Sequence, residues 1–273
     1  MKKFIIFTDL DGTLLDSSTY SFEKALPAIE LIKEKDIPLI ICSSKTRKEI
    51  EHYRKKFDNY HPFISENGGG IFIPKDYFPF RVQSSEFRDE EDKYTVIRLG
   101  ATYSDLRRAI EELRKEGFKV KGFGDMSVQE IREITNLNIK EAEMSKERNF
   151  DEPFIFDGDE IKMQELFNAI RKKGFNYVQG RLFHIIGNND KGKALSILID
   201  LYKRKFGEIL TIAIGDGPND LPMFERVDYP IVVQRHDGKY EPQINIPDII
   251  KAEGIGPEGW NKAINLCLKK FLT

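Results

Sequence analysis

Two cysteines, one tryptophan, four histidines and almost no net charge already exclude several classes of protein for this chain of 273 residues. Cys42 and Cys267 form neither a disulfide framework nor a zinc-ligand spacing. Cys42 lies in an apolar run and reads as core. His52, His61, His184 and His236 are scattered, again without metal spacing. The basic-then-apolar start meets Asp9 too soon for a secretory leader, and no apolar stretch is long enough to span a bilayer. A cytoplasmic protein is expected. With 43 basic and 45 acidic residues the formal charge is −2. No global field therefore attracts nucleic acid or an anionic membrane, and neither is expected as a partner. An anionic ligand would need a local cluster of donors. Nothing in the sequence reports the oligomeric state.

What is present is a globular composition, 40% hydrophobic and 32% charged, in a chain longer than one average domain. It is organised around residues 4–13, FIIFTDLDGT. The bulky apolar run predicts a short buried strand of a parallel sheet. It ends in Asp9 and Asp11, where open α/β sheets place their chemistry. Two carboxylates in such a place are costly without a cation, and a divalent metal removes that cost. Asp11-Gly12 could also be a plain turn.

Further along, 26–32 has helical spacing, 37–42 is a second buried strand ending in Ser43-Ser44-Lys45, and Thr46 with Glu49 forms a capping box for a helix to about Phe57. A short strand at 62–65 runs into Glu66-Asn67-Gly68-Gly69-Gly70. This is the βαβ rhythm of a parallel sheet. Residues 75–92, with the acidic run 89–92, read as a solvated linker. From 83 to 187 the pattern of strand, helix, strand repeats about twice, which predicts a separate α+β unit with an antiparallel sheet. The first pattern then returns. It has a helix at 194–206, a buried strand at 208–214 ending in Gly215-Asp216-Gly217-Pro218-Asn219-Asp220, a strand at 229–233, and a C-terminal helix with Leu266, Leu268 and Phe271 in the core. The expected fold is α/β: a Rossmann-like parallel-sheet core of 1–82 and 188–273, with an inserted α+β cap domain at 83–187.

The strand ends bring together one polar constellation. The first offers Asp9 and Asp11, the second Ser43 and Lys45, and a later one Asp216, Asn219 and Asp220. Lys191 stands before the long helix. Each could be a turn, cap or solvated residue alone. Carboxylates, a hydroxyl and lysines on one sheet edge make a metal-assisted phosphate site, and Mg2+ is the expected cofactor because it takes oxygen ligands and bridges well to phosphate. A carboxylate can attack phosphorus.

In this order the residues resemble the haloacid dehalogenase superfamily. DLDGT at 9–13 is similar to its first motif, Ser43 to its second, Lys191 to its third and GDGPND at 215–220 to its fourth. The insertion resembles the C2-capped branch that acts on sugar phosphates. SENGGG at 65–70, FDEPF at 150–154, VQGRLFH at 178–184 and DKGKAL at 190–195 point within that branch to phosphatases of phosphorylated sugar-glycerates. The resemblance implies Asp9 as nucleophile and Asp11 as acid and then base. It implies Lys191 and Ser43 on the phosphoryl oxygens. The metal would lie on Asp9, Asp216 and the Asp11 main-chain carbonyl, with Asp220 and Asn219 orienting that set. Lys45, Asn67, Gly68, Arg181 and His184 are the substrate-contact candidates, and Arg181 is favoured for a substrate carboxylate. Gln179, His184 or Glu66 would meet sugar hydroxyls. Where relatives carry Thr-Gly-Arg this chain has Ser43-Ser44-Lys45, which keeps the hydroxyl and loses the guanidinium fork. A phosphatase of another sugar phosphate (sucrose phosphate among them), a phosphomutase and a non-catalytic phospho-ligand module are the alternatives.

Overall fold

β1 (Lys3–Thr8) runs through the middle of the molecule and is buried from Phe4 onward, on both faces. The computed structural model describes residues 2–82 and 93–272. After β1 come α1 (Leu26–Glu34), β2 (Leu39–Cys42), α2 (Arg47–Phe57), β3 (Phe63–Ser65), β4 (Gly70–Pro74) and β5 (Tyr94–Arg98). Then follow α3 (Tyr103–Lys115), β6 (Val120–Gly122), α4 (Val128–Thr135), α5 (Ile139–Ser145), β7 (Asp151–Phe156), α6 (Glu160–Lys172), β8 (Asn176–Gln179) and β9 (Phe183–Ile186). The chain continues through α7 (Lys191–Phe206), β10 (Ile209–Gly215), α8 (Leu221–Phe224), β11 (Tyr229–Gln234), β12 (Ile250–Ile255) and α9 (Pro257–Leu272).

Among the described residues, eight strands form one sheet in the order β12-β11-β10-β1-β2-β3-β4-β5. Pairing is parallel from β12 to β3 and antiparallel for β3–β4 and β4–β5. Alternation along β1 sorts its residues to two cores. Phe4 and Ile6 pack in the cluster of Trp260 and Ile264 from α9, Ile5 and Phe7 in that of Leu195 and Leu198 from α7. From β1 the chain builds outward through β2 on one side and later through β10 on the other. The carboxyl ends of β1 and β10 therefore flank the switch point where α/β sheets open a crevice. The second sheet, β6-β7-β9-β8, is antiparallel. Leu106 and Ile110 of α3 and Leu166 and Ile170 of α6 cover it.

The α/β class and the parallel core agree with the sequence reading, and the Thr46–Glu49 capping box forms as expected. Residues 94–99, expected in the inserted segment, instead supply β5, paired residue by residue with β4. β4 itself has no counterpart in the sequence reading, because Ile71-Phe72-Ile73 follows three glycines. Of the expected solvated stretch, 75–82 is partly packed. Phe78 is buried, and Tyr77 and Phe80 lie on the α7 side of the core. The acidic run 89–92 lies outside the described residues. In α9, Leu266 faces solvent, while Trp260, Ala263, Ile264, Cys267 and Leu268 form the buried face; the side chain of Phe271 is not among those described. No helix among the described residues is long and apolar enough to cross a membrane.

His61 is buried with Nδ1 2.7 Å from the Tyr77 hydroxyl, which is 2.8 Å from that of Tyr202. Burial, aided by the Arg54 and Lys205 cations and opposed by Asp36, depresses its pKa to about 4. The unfolded imidazole titrates near 6.5. The fold holds the neutral ring, so the stabilisation is complete above about pH 6.5 and is lost as the pH falls toward 4. Its size is about 3 kcal/mol. Denaturant titrations of wild type and His61→Gln at pH 7 and pH 4 should show the wild type losing about that much more. Parallel losses would remove His61 as the cause.

Candidate active site

The end of β1 is held by its neighbours before any catalytic group is considered. Asp9 N–H donates to Ile214 O of β10 at 2.9 Å, and Trp260 Nε1 donates to Thr8 Oγ1 at 3.0 Å. The chain then turns sharply, with Thr13 and Leu15 N–H groups both donating to Leu10 O. Gly12 has φ +77°, and a Cβ there would stand 2.5 Å from Asp216 Oδ2. Glycine is therefore what lets the loop after β10 approach the loop after β1.

Lys191, at the start of α7, is fully buried between two carboxylates. Its Nζ lies 2.9 Å from Asp9 Oδ1 and 2.6 Å from Asp220 Oδ1. Burial opposes its charge, yet Asp220 and Asp9 hold the ammonium above its ordinary range. The other Asp220 oxygen accepts from the N–H groups of Asp216 and Gly217, fixing the loop that carries Asp216. Thr13 Oγ1 donates to Asp216 Oδ1 at 2.9 Å. Asp9, Asp216 and Asp220 each present an oxygen within 4.8 Å of the others. Burial, Asp220 and Asp9 together push the Asp216 carboxyl well above the usual range. Three clustered carboxylates, two of them buried, against one contacting lysine fit a hard, oxygen-seeking dication.

The Asp11 side chain turns away from this cluster. Its Oδ2 pairs with Lys45 Nζ at 3.1 Å, and Lys45 also pairs with Glu49 at 3.2 Å. Asp11 Oδ1 is buried without a hydrogen-bond partner among the described residues. Burial, then Asp9, raise the Asp11 carboxyl above its ordinary value against the pull of Lys45. Ser43 is fully buried at the end of β2. Its Oγ accepts from Lys45 N–H at 3.3 Å, and its carbonyl accepts from Asn67 N–H at 3.1 Å.

A second buried network joins the core to the smaller sheet. The Glu66 carboxylate accepts from the N–H groups of Asn149, Phe150 and Asp151, where the chain enters β7. Burial, then Asp151, raise its pKa to about 8. Asp151 receives Asn67 Nδ2 at 2.9 Å and His184 Nδ1 at 3.0 Å, and pairs with Arg148. Burial works against its charge, but Arg148 and His184 hold the Asp151 carboxyl below the ordinary range. Asn219 Nδ2 donates to Asn67 Oδ1 at 3.3 Å. Asn219 thus bridges two loops, and no hydrogen bond from its side chain to the carboxylate set is recorded among the described residues. Gly68 is packed against backbone, since a Cβ would come 2.1 Å from Asp190 O. Glu66, expected near sugar hydroxyls, is spent on main-chain N–H groups. Arg181 is exposed on the β8–β9 hairpin and donates to the Tyr20 hydroxyl at 3.2 Å. Lys193 turns outward to Asn188.

Both networks face one cavity of about 450 Å³. Asp9, Asp11, Lys45, Asp216 and Asn219 line its core side, Arg148, Arg181 and His184 its other side. Several contributors were not signalled by the sequence. Arg148 lies at the end of a helical pattern where an arginine reads as solvated. Arg235, with His236 and Glu241, comes from the loop after β11, which carries no motif.

A family model described as haloacid dehalogenase-like hydrolase matches residues 6–239. A Methanococcoides burtonii protein named glucosyl-3-phosphoglycerate/mannosyl-3-phosphoglycerate phosphatase is 50% identical over 266 residues, 96% of each chain. The Pyrococcus furiosus mannosyl-3-phosphoglycerate phosphatase is 38% identical over 250 residues, 90% of this chain and 98% of its own. A solved structure from Thermoplasma acidophilum matches the fold with a TM-score of 0.70 at 18% identity, covering 100% of this chain and 99% of the other. Family match, whole-length relatives and an Asp9–Lys191–Asp216 cluster at the switch point converge: the chain belongs to the haloacid dehalogenase-like hydrolases.

Proposed function

We propose that this protein is a Mg2+-dependent phosphatase that converts mannosyl-3-phosphoglycerate to mannosylglycerate and phosphate, and that it also accepts the glucosyl compound. The observation that carries the chemistry is the arrangement at the end of β1. Asp9 is held by Lys191, while Asp11, two residues on, turns its carboxyl to another part of the same cavity. The substrate is supported by the full-length relative named for both compounds.

In this reading an Asp9 oxygen attacks phosphorus as the ester P–O bond breaks. The Asp11 carboxyl gives its proton to the departing glycerate oxygen. The resulting Asp11 carboxylate then takes a proton from the water that attacks the aspartyl phosphate, releasing phosphate and restoring Asp9. Lys191 and Ser43 hold the non-bridging oxygens. Asp9, Asp216 and the Asp11 main-chain carbonyl would hold the magnesium, which neutralises phosphoryl charge when bound. Asp220 orients Lys191 and the Asp216 loop. Asn67 and Asn219 tie the loops together, and the antiparallel unit between β5 and α7 acts as a cap that excludes bulk water. A metabolite with a phosphate and a carboxylate does not cross a bilayer unaided, so we place the enzyme with it in the cytoplasm.

The test is phosphate release with Mg2+, comparing specificity constants for mannosyl-3-phosphoglycerate, glucosyl-3-phosphoglycerate, 3-phosphoglycerate and mannose 6-phosphate. The two glycosyl compounds should lead by about 10-fold or more, the scale of one charged hydrogen bond. A chelator should abolish turnover. A preference for mannose 6-phosphate, or full activity with chelator, would overturn the reading. An isomer as product in place of phosphate would indicate a mutase.

A further inference from the structure

We infer that Arg148 binds the substrate's carboxylate and that Arg181 serves the glycosyl end. The inference rests on the substrate proposed above. In a 3-phosphoglycerate skeleton the carboxyl and the phosphate ester sit at the two ends of three carbons, so their binding groups must lie within a few ångströms of each other. The sugar, on the middle carbon, projects away from both.

Arg148 meets that requirement. Its side chain is 4% exposed, yet it lines the cavity. Nη1 donates to Ser44 O at 3.1 Å, one residue from Ser43 and its place beside the phosphoryl group. Nε donates to Ser145 O at 3.0 Å, and Nη1 also pairs with Asp151. Nη2 has no hydrogen-bond partner among the described residues, and the residue lines the cavity. The charge of Asp151 is shared with His184 and Asn67, so it does not cancel Arg148 alone. Glu66 fixes the three N–H groups that follow Arg148, so the guanidinium is placed before a ligand arrives. A guanidinium fixed in place with Nη2 left to donate suits a carboxylate oxygen.

The other cations fit less well. Lys45 is already held by Asp11 and Glu49, Arg235 by Glu241 and Asp237, and Lys193 points outward. Arg181, exposed on its hairpin and reaching Tyr20, is placed at the rim where a sugar would lie.

The experiment compares kcat/KM for mannosyl-3-phosphoglycerate and for the same molecule with the carboxylate replaced by a hydroxymethyl group, mannosylglycerol phosphate. Wild type, Arg148→Gln, Arg148→Lys and Arg181→Gln are assayed. Wild type should prefer the carboxylated compound. Arg148→Gln should shrink that preference by about 10- to 100-fold, with the loss in KM for the carboxylated compound. Arg181→Gln should lower both compounds together and leave their ratio intact. Arg148→Lys, which keeps a charge for Asp151, gives the same comparison if the glutamine variant does not fold, and its ratio should also fall because the free Nη2 donor is gone. An unchanged ratio in a folded Arg148 variant, a fall in ratio confined to Arg181→Gln, or a wild type indifferent to the carboxylate would overturn the inference. If wild type hydrolyses neither glycosyl compound, the functional reading fails instead.

Discussion

Asp9→Asn should lose turnover by about 10⁴-fold or more, the scale seen when a covalent nucleophile is removed, while the fold survives. The two halves of that expectation have different causes. An amide has the same shape but cannot attack phosphorus. Structurally the change removes one of three carboxylates that each present an oxygen within 4.8 Å of the others and leaves Lys191 its bond to Asp220. Thermal melting in metal-free buffer should therefore stay level or rise. Phosphate release and melting on the same preparation check both. Substantial turnover, from protein verified free of contaminating phosphatase, would show that Asp9 is not the nucleophile.

Lys191→Met should move both quantities downward. The ammonium is the direct bridge between Asp9 and Asp220, and all three are buried. Methionine fills a similar volume and leaves two carboxylates facing each other without compensation. Removing one partner of a buried ion pair costs about 3–5 kcal/mol, measurable by denaturant titration with a chelator present. Turnover should fall by about 10²- to 10³-fold with Mg2+ present, the size of losing one preorganised donor to a developing oxyanion. A variant as stable and active as wild type would mean the lysine is a spectator. Opposite effects of the two substitutions on stability would separate the charge balance of the site from its chemistry.

The core of this site was legible because its residues are punctuated. Each of Asp9, Ser43 and Asp216 follows a short apolar strand, and parallel strands place their carboxyl ends on one edge. Lys191 was legible in the loop before an amphipathic helix, which the structure starts at Lys191 itself. The rest depended on contacts distant in sequence. β4 and β12 are edge-region strands without clear alternation, and β5 was read with the insertion because its partner follows a glycine run. Arg148 looked like any arginine at a helix end until Glu66, 82 positions earlier in the numbering, was seen to hold the chain beside it. Arg181 and Glu66 show the reverse. Both sit in segments that resemble the family, yet one is exposed at a hairpin and the other is consumed by backbone N–H groups.

Phosphoryl transfer through Asp9 can be read from the covalent intermediate itself. Acid-quenching the enzyme during turnover of an aryl phosphate with Mg2+, reducing with borohydride and mapping peptides reads the acceptor directly, because an aspartyl phosphate is reduced to homoserine. Homoserine at position 9, with none at 11, 216 or 220, is the predicted result. Homoserine at another of these positions while position 9 remains aspartate would contradict the account.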